Sequence, residues 1–261
     1  MIIKNGHFLI IIFFFLSSCS TIIGTTPKPV FQLKAQSIQP KKGNAAEIIL
    51  DDLKKKNCGL KTFKGTGTIR FYNKGIRQTT RLAWAGSLPD KIRMEVLSAA
   101  GRPDLSIAGD GKKLYFLFHH NKKFYKKSFN AGLNKIISIP VKITDIIALL
   151  AGRIPLLEYN NASLKKNPRS DAPVIILKKG KGEIIEKIFL DAAKKNVRHI
   201  ELFNSKGSIM YAAAFNGIRK IKSYNIPTGF KLADDDAVVH INIDKYWVDI
   251  PIEQAIFTLT P

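Results

Sequence analysis

Cysteine is nearly absent from this sequence of 261 residues, which contains only Cys19 and Cys58. Two cysteines form at most one bridge, so a scaffold held by several disulfides is excluded. Long apolar runs are also missing, since the run from Phe8 to Leu16 has only nine residues. A membrane-spanning helix needs about 20 apolar residues. That run is therefore too short for a permanent span and is typical of the apolar core of a secretion signal.

Acidic residues are scarce as well. Twenty Asp and Glu face 42 Lys and Arg, which gives a formal net charge of +22. Such a charge attracts anionic lipid headgroups, anionic glycans or nucleic acid, although Lys, Ile and Asn are abundant throughout and general composition accounts for part of it. No basic run is interleaved with stacking aromatic residues, so we expect no nucleic-acid partner.

Motifs for phosphate binding and covalent catalysis are missing too. The glycine pairs in Gly65–Gly67 and Gly180–Gly182 are not followed by Gly-Lys-Ser/Thr and neither opens a helix, so they are not phosphate loops. No Gly-x-Ser-x-Gly elbow and no helix-borne pair of carboxylates or histidines occurs. We therefore expect no enzyme, no catalytic residue and no cofactor other than a covalent lipid.

The remaining polar clusters are poor metal sites. His119 and His120 are adjacent, and adjacent strand residues face opposite ways, so a solvated strand end explains them better than a metal. Asp234–Asp236 has no alternating ligand loop and is typical of a solvated turn. A hydrolytic function would need distant Ser or Asp residues to meet His199 or His240, and no spacing supports this.

The segment after the apolar run predicts a lipid anchor. Leu16-Ser17-Ser18-Cys19 resembles a bacterial lipobox, in which the cysteine thiol accepts diacylglycerol. The alternative is an ordinary signal followed by an incidental cysteine. We predict a signal peptide over 1–18, lipidation at Cys19 and a flexible tether over 19–44, because proline and glycine interrupt any periodicity there. Ser20 stands where similar lipoproteins retained in the inner membrane have aspartate, which favours the outer membrane.

The rest of the chain, 45–261, predicts one mainly β (α+β) domain. Ala45 to Lys56 predicts a short helix with Ile48, Ile49 and Leu53 on one face. An apolar stretch from Asn134 to Arg153 predicts a second helix that begins near Thr144-Asp145 and ends at Gly152. Between these and beyond them, the period of two predicts ten or eleven antiparallel strands in one strongly curved sheet.

Turn chemistry separates the expected strands. Asn204–Gly207 and Asn216-Gly217 are predicted hairpin turns, and Asn160 to Ala172 is predicted to be a polar connection. The strands are expected around Gly67–Tyr72, Ile76–Trp84, Ile92–Val96, Leu114–Phe118 and on to about Tyr125, then Val174–Leu177, Ile184–Leu190, Arg198–Phe203, Ile209–Phe215 and Val238–Tyr246.

Several passages, in this order and spacing, resemble the family of outer-membrane lipoprotein-localisation proteins (LolA/LolB-like), which comprises a periplasmic carrier, its outer-membrane receptor and related lipoproteins. The resemblance covers most of 45–261. Its last passage is similar to the closing strand of the family. The passages are Leu82–Trp84 with Pro89–Val96, Leu105–Tyr115, Asp145–Pro155 and Val248–Pro261.

The resemblance implies a half-open β-barrel with a helical lid over a hydrophobic cavity that accommodates acyl chains. It further implies a monomeric outer-membrane lipoprotein on the periplasmic face of a Gram-negative bacterium, with a periplasmic carrier, lipidated cargo and membrane lipid as partners. The alternative with the same fold is a non-catalytic envelope scaffold or a protein that binds anionic glycan or lipopolysaccharide. The residues expected to line the cavity, which would equally serve as a solid core, are Trp84, Ile92, Met94, Phe116, Phe118, Ile146, Ile147 and Leu150.

The loop after the predicted third strand has a special role in the receptor of this family, where an exposed leucine helps to push cargo into the membrane. Here the corresponding loop contains Ala99, Ala100 and Gly101, and Ala100 takes the place of the leucine. The resemblance therefore implies a membrane-proximal loop with a weakened apolar tip. Receptor-type binding is better supported than insertion.

Overall fold

The computed structural model describes residues 44–167 and 170–261. The predicted signal peptide, Cys19 and nearly all of the predicted tether lie outside the described residues. The described residues belong to one compact unit.

Helix α1 covers Ala45–Lys55 and begins where Asn44 accepts a hydrogen bond from the Ala46 amide. Its buried residues are Ala46, Leu50 and Leu53, which recur at the helical spacing of four and three. The predicted apolar face was partly wrong, because Ile48 is 57% exposed. The buried stripe runs through Ala46 and Leu50, and Ile48 lies on the opposite side of the helix, roughly 200° from Ala46 at about 100° per residue.

Thirteen strands follow, two or three more than the sequence predicted. They form one antiparallel sheet in the order β6-β5-β4-β3-β2-β1-β13-β12-β11-β10-β9-β8-β7. In the described part of the chain, β6 and β7 are its two edges and do not pair with each other, so the sheet is not closed. The strands are β1 Thr62–Asn73, β2 Ile76–Ser87, β3 Lys91–Leu97, β4 Pro103–Asp110, β5 Lys113–Phe118, β6 Lys123–Ser128, β7 Asn161–Lys166, β8 Pro173–Lys179, β9 Glu183–Leu190, β10 Val197–Phe203, β11 Ile209–Ile221, β12 Tyr224–Ala233 and β13 Ala237–Val248.

Two short helices interrupt the strands between β6 and β7. They are α2, Asn134–Ile137, and α3, Ile143–Leu150. The predicted helix from Thr144-Asp145 is confirmed as α3. The fold prediction, a mainly β open half-barrel with a helical element, is therefore confirmed.

Three further local predictions were wrong. The polar connection predicted over Asn160 to Ala172 contains the edge strand β7, Asn161–Lys166, which pairs with β8. Asn216-Gly217 is not a hairpin turn but lies within β11, where Gly217 has a φ of +55° and the pairing passes from Asn216 to Ile218. Glycine adopts this left-handed conformation without steric cost, so a kink in a strand uses the same residues as a turn. The expected closing strand after Val248 is also absent from the described structure. A 3-10 helix, Gln254–Phe257, packs there against β3 and β4.

The inner face of the sheet is the one that carries the core. Directly paired residues of antiparallel strands share a face. Trp84 pairs with Met94, Met94 with Ile107 and Ile107 with Phe116, which gives one apolar row across β2 to β5. A second inner-face row crosses the other half of the sheet through Ile175, Ile188, Ile200, Ala213 and Leu232.

Two glycines allow large rings to lie directly on the inner face. A Cβ built on Gly65 would come within 2.3 Å of the indole of Trp84, and one built on Gly86 within 2.3 Å of the ring of Phe63. Only glycine leaves room for rings at these positions. The sequence thus fills the interior of the curved sheet with aromatic groups that rest on strand backbone.

Candidate functional site

Helix α3 lies over the inner face and is almost entirely apolar. Asp145 accepts a hydrogen bond from the Lys142 amide at 3.2 Å and so caps the first turn. The helix ends at Ala151 and Gly152, and Gly152 has a φ of +70°. Five of the eight residues are buried, so the helix is embedded in the protein and not laid on its surface; they are Ile143, Ile146, Ile147, Leu149 and Leu150.

A buried amide fixes the carboxyl end of α3. Asn57 is 8% exposed, and its Nδ2 donates to the carbonyl oxygens of Ala151 at 3.0 Å, Gly152 at 3.3 Å and Asn225 at 2.9 Å. Its Oδ1 accepts from the Asn225 amide at 3.0 Å. One side chain therefore links the segment after α1 to the end of α3 and to β12, and satisfies carbonyls that the helix leaves unpaired.

Two tyrosines bind α3 from the sheet below. The Tyr246 hydroxyl donates to the Leu150 carbonyl at 2.7 Å, and the Tyr211 hydroxyl donates to Oδ2 of Asp145 at 2.8 Å. Burial raises the pKa of both tyrosines far above the ordinary value, and the negative charge of Asp145 adds to this effect at Tyr211. Both hydroxyls therefore keep their protons and donate, so each end of the helix has a polar attachment to the inner face.

The structure brings the eight predicted lining residues together. Seven are buried members of one hydrophobic core, and Phe118 is partly buried and packs against it. The sheet members lie on the inner face and the helix members on α3, as the pattern predicted. That this interior opens to accept acyl chains remains a prediction. The seven buried residues are Trp84, Ile92, Met94, Phe116, Ile146, Ile147 and Leu150.

The predicted membrane-proximal loop joins β3 to β4. Ala99, Ala100 and Gly101 are exposed. Gly101 has a φ of +81°, and its amide donates to the Ser98 carbonyl at 2.9 Å, which closes a tight turn. The loop thus presents small side chains to solvent, and its proximity to a membrane remains a prediction.

One functional candidate escaped the sequence analysis. Glu186 is fully buried on the inner face, in β9, paired with Leu177 of β8 and Leu202 of β10. Its Oε2 accepts a hydrogen bond from the Leu157 amide at 3.0 Å. Burial raises the pKa of Glu186 to about 8, and the charge of Asp145 adds to the rise, which the hydrogen bond from Leu157 opposes. The signal was present, since Glu186 alternates in phase with Ile188 and Leu190, the inner-face residues of its strand.

The opposite face of the sheet carries a surface groove, which we call the outer groove. Its volume is about 590 Å³. Val174, Ile176 and Phe189 contribute apolar surface, and Lys165 and Lys187 contribute positive charge. Val174 and Phe189 are paired neighbours on β8 and β9, with the core residues of those strands facing the other way. The groove is therefore separated from the interior by the thickness of the sheet.

The histidines that a hydrolytic function would use lie apart. His199 stacks on Phe189 with ring centroids 3.9 Å apart, and burial lowers its pKa. His240 and Tyr72 form an edge-to-face pair with ring centroids 6.0 Å apart. Ser106 does bond to His119, at 2.8 Å, but it is fully buried. A nucleophile must reach its substrate, so this serine is poorly placed for attack.

No group of three or more His, Cys, Asp or Glu side chains in residues 44–167 and 170–261 could hold a metal ion. No helix in the same residues is long and apolar enough to cross a membrane.

Comparison with known proteins identifies the fold. No protein-family model matches this chain, and no curated protein matches it in sequence. A domain named for outer-membrane lipoprotein sorting, from Vibrio parahaemolyticus, superposes with a TM-score of 0.59 at 12% identity, over 80% of this chain and 94% of that domain. A LolA superfamily protein from Nitrosomonas europaea superposes with a TM-score of 0.57 at 13% identity, over 82% of this chain and 97% of that protein.

A third similar structure is a DUF1329 family protein from Desulfovibrio piger, with a TM-score of 0.58 at 8% identity, over 83% of this chain and 98% of that protein. The predicted LolA-like fold is confirmed. Identities this low establish the fold alone.

Proposed function

We propose that this chain is a non-catalytic lipoprotein of the Gram-negative envelope that binds the acyl chains of other lipoproteins. The chains would enter between α3 and the inner face. The protein would be anchored through lipid on Cys19 at the periplasmic face of the outer membrane, would receive lipidated cargo from a soluble periplasmic carrier, and would assist its localisation there.

The observation that carries the proposal is an apolar helix set over the apolar face of an unclosed sheet. The α3 residues Ile147 and Leu150 are only 1% and 0% exposed. Displacing the helix would uncover a continuous apolar surface on both sides. Acyl chains need volume and dryness more than directional bonds, so such a surface suits them. The LolA-like fold supports the same reading.

The attachment of α3 is suited to reversible opening. The polar contacts lie at the helix ends, at Asp145 and at Leu150 to Gly152, while the middle of the helix makes apolar contacts. Apolar contacts are non-directional, so acyl chains could replace the inner face as the partner of the helix with a small net change in buried apolar area. Transfer would then follow the relative affinity of each state for acyl chains.

The anchor is tested by metabolic labelling with palmitate. We expect the wild-type chain to incorporate label and to fractionate with membranes, and Cys19→Ala to lose both properties because it lacks the acceptor thiol. Cys58→Ala is the matched control, since Cys58 is exposed within the folded domain and should leave labelling intact. Label that persists in Cys19→Ala and disappears in Cys58→Ala would contradict the proposed anchor.

Acyl binding is tested with the full chain carrying Cys19→Ala, incubated with a palmitoyl probe that bears a photoactivatable diazirine in its chain. Adducts should map to inner-face and α3 residues such as Met94, Phe116 and Ile147. Residues of the outer groove such as Ile176 and Phe189 serve as the internal control. Adducts confined to the outer groove would reject the interior as the binding site.

A second candidate function rests on the outer groove. The lining has three lysines, Lys165, Lys166 and Lys187, and one acidic residue, Glu201, so the groove has an excess of positive charge beside its apolar floor. This excess fits an anionic envelope ligand such as lipopolysaccharide. Binding of lipopolysaccharide that weakens steeply with salt and disappears in Lys165→Ala/Lys187→Ala would support this candidate. Binding that is insensitive to salt and to these substitutions would dismiss it.

A further inference from the structure

The segment that follows α3 packs Ile154, Leu156 and Leu157 against the core, and its last residue, Asn160, donates from its amide to the Lys178 carbonyl of β8 at 2.9 Å. The middle of the segment also has one polar attachment to a buried side chain of the sheet. This segment, residues 153–160, has no helix or strand, and we call it the strap. Its Leu157 amide donates to Oε2 of Glu186. At its far end, the Tyr159 hydroxyl donates to Oε2 of Glu47 at 2.9 Å, at the surface of α1. Glu186 is thus the fully buried polar group that fastens the middle of the strap over the inner face.

The second carboxyl oxygen of Glu186 is unusual. Oε1 is buried and has no hydrogen-bond partner among the described residues. A buried polar atom without a partner costs about 1–3 kcal/mol. The flanking inner-face residues, Leu177 and Leu202, are apolar and offer it none. The closed arrangement therefore stores an unfavourable contact that water would relieve if the strap lifted.

The ionisable groups around Glu186 make the closed arrangement still less favourable when Glu186 is ionised. The negative charge of Asp145 on α3 raises the pKa of Glu186, and the hydroxyl of Tyr211 on β11 donates a hydrogen bond to Asp145. On the strap itself, Glu158 is exposed, and the guanidinium of Arg153 donates to the carbonyl oxygens of Asn57 at 2.6 Å and Leu60 at 3.5 Å. No ion pair to Glu186 or Asp145 occurs among the described residues. Because no described cation forms an ion pair with Glu186, its ionised carboxylate is unfavourable in the closed interior.

We propose that Glu186 is a proton-dependent latch: its protonated carboxyl holds the strap closed over the inner face, and its ionisation releases the strap and gives access to the interior. The functional part of this inference, access for acyl chains, rests on the function proposed above. The latch itself concerns only Glu186, the strap and water.

The direction of the pH dependence follows from linkage. In the closed state the pKa of Glu186 is raised to about 8, and in water the ordinary value is 4.5. Opening therefore releases a proton between these two values, and the closed state loses stability as pH rises through that window. Below the window both states are protonated and above it both are ionised. Within it, the opening equilibrium should grow by up to about tenfold per pH unit.

Hydrogen exchange of the Leu157 amide measures this equilibrium in the full chain carrying Cys19→Ala. After correction for intrinsic exchange, protection in the strap should fall between pH 5 and pH 8 by up to about tenfold per unit. In Glu186→Gln the side-chain amide oxygen still accepts from Leu157 but cannot ionise, so protection should no longer depend on pH. Glu201→Gln is the matched control, because Glu201 lies on the adjacent strand β10 and pairs with Lys187 on the outer side of the sheet.

A measurement on the Glu186 carboxyl itself needs no substitution there. The carboxyl carbon of Glu186, followed by NMR, should titrate near pH 8, and the Leu157 amide resonance should follow the same curve. A carboxyl that titrates near its ordinary value, or strap protection with the same pH dependence in Glu186→Gln as in the parent, would overturn the latch.

Uptake of N-phenyl-1-naphthylamine, an apolar fluorescent probe that stays uncharged in this pH range, separates the two proposals. Uptake that accelerates with pH in the parent chain and not in Glu186→Gln supports both. A pH-dependent strap with no uptake would preserve the latch and reject acyl binding. Uptake at a rate that pH does not change would preserve the binding site and reject the latch.

Discussion

Asn57 offers the sharpest test of how α3 is held. Its amide nitrogen donates to three carbonyl oxygens, those of Ala151, Gly152 and Asn225, at 3.0, 3.3 and 2.9 Å. Asn57→Asp keeps the size and shape of the side chain but replaces this donor with an oxygen. Three donated bonds disappear, and a buried charge faces three carbonyl dipoles.

The magnitude follows from the bonds and the charge. Each buried hydrogen bond contributes about 0.5–1.5 kcal/mol, and a buried charge without a partner costs more. We expect Asn57→Asp to destabilise the protein by about 3–5 kcal/mol at pH 7. Asn57 also has a φ of +55°, which glycine tolerates. Asn57→Gly therefore isolates the side-chain bonds from backbone strain and should cost less, about 2–3 kcal/mol.

The same substitution elsewhere provides the control. Asn204 uses its side-chain oxygen as acceptor for the amides of Lys206 and Ser208, at 2.9 and 3.1 Å. A carboxylate accepts these bonds equally well, so Asn204→Asp should change the free energy of unfolding by less than about 0.5 kcal/mol. Urea denaturation followed by circular dichroism measures all three variants.

The effect of pH on Asn57→Asp has a definite sign. Burial among carbonyl oxygens raises the pKa of the new carboxyl, and the protonated form can donate one hydrogen bond. The deficit relative to the parent should therefore be larger at pH 7 than at pH 4.5. A stability of Asn57→Asp within about 1 kcal/mol of the parent at pH 7, or an equal loss in Asn204→Asp, would contradict the attachment of α3 through the Asn57 amide.

Two further substitutions, each with a matched control, test the packing of the interior. Gly65→Ala would place a Cβ 2.3 Å from the indole that covers it and 2.9 Å from a carbonyl oxygen. Thermal denaturation should therefore show a loss of stability of about 2 kcal/mol or more. Gly59→Ala is the control and should be nearly neutral, because the nearest atom to its Cβ would lie 3.6 Å away. Leu50→Ala should lower the free energy of unfolding by about 2–5 kcal/mol, because Leu50 is fully buried. Ile48→Ala on the same helix should change it by less than about 1 kcal/mol, as measured by urea denaturation. Equal effects of the two substitutions would refute the assigned buried face of α1.

Strands with regular alternation were predictable, and two strands without it were not. β7 carries only Ala162 as a buried residue, because an edge strand pairs on one side and its Lys165 and Lys166 remain in water. β12 contains Pro227, which argues against a central strand by pattern alone. The structure accommodates Pro227 because β12 pairs with β13 only from Gly229 onward. At Pro227 no residue of β13 is in position to accept the backbone hydrogen bond that proline cannot donate.

The residues of the candidate site likewise fall into those that the sequence could predict and those that it could not. The apolar members of β2, β3 and β5 and of α3 could be predicted, because burial follows a period of two in strands and a helical period in α3. Their joining into one interior was implied by resemblance and not by periodicity. Asn57 was missed because a polar residue in a sequence gives no sign of which backbone groups will surround it. Glu186 was missed although its alternation with Ile188 and Leu190 placed it on the inner face of β9.

By itself, the sequence determined the mainly β class, the helix at α3 and the apolar character of the interior, because these depend on residues close along the chain. It also supplies the predicted anchor at Cys19. Only the tertiary structure decided that β1 pairs with β13, which joins the two halves of the sheet across most of the chain. The packing of α3 on the sheet, likewise decided only in three dimensions, brings Leu150 to Tyr246 of β13 and Asp145 to Tyr211 of β11. Contacts between residues so distant in sequence depend on the complete packing of the fold.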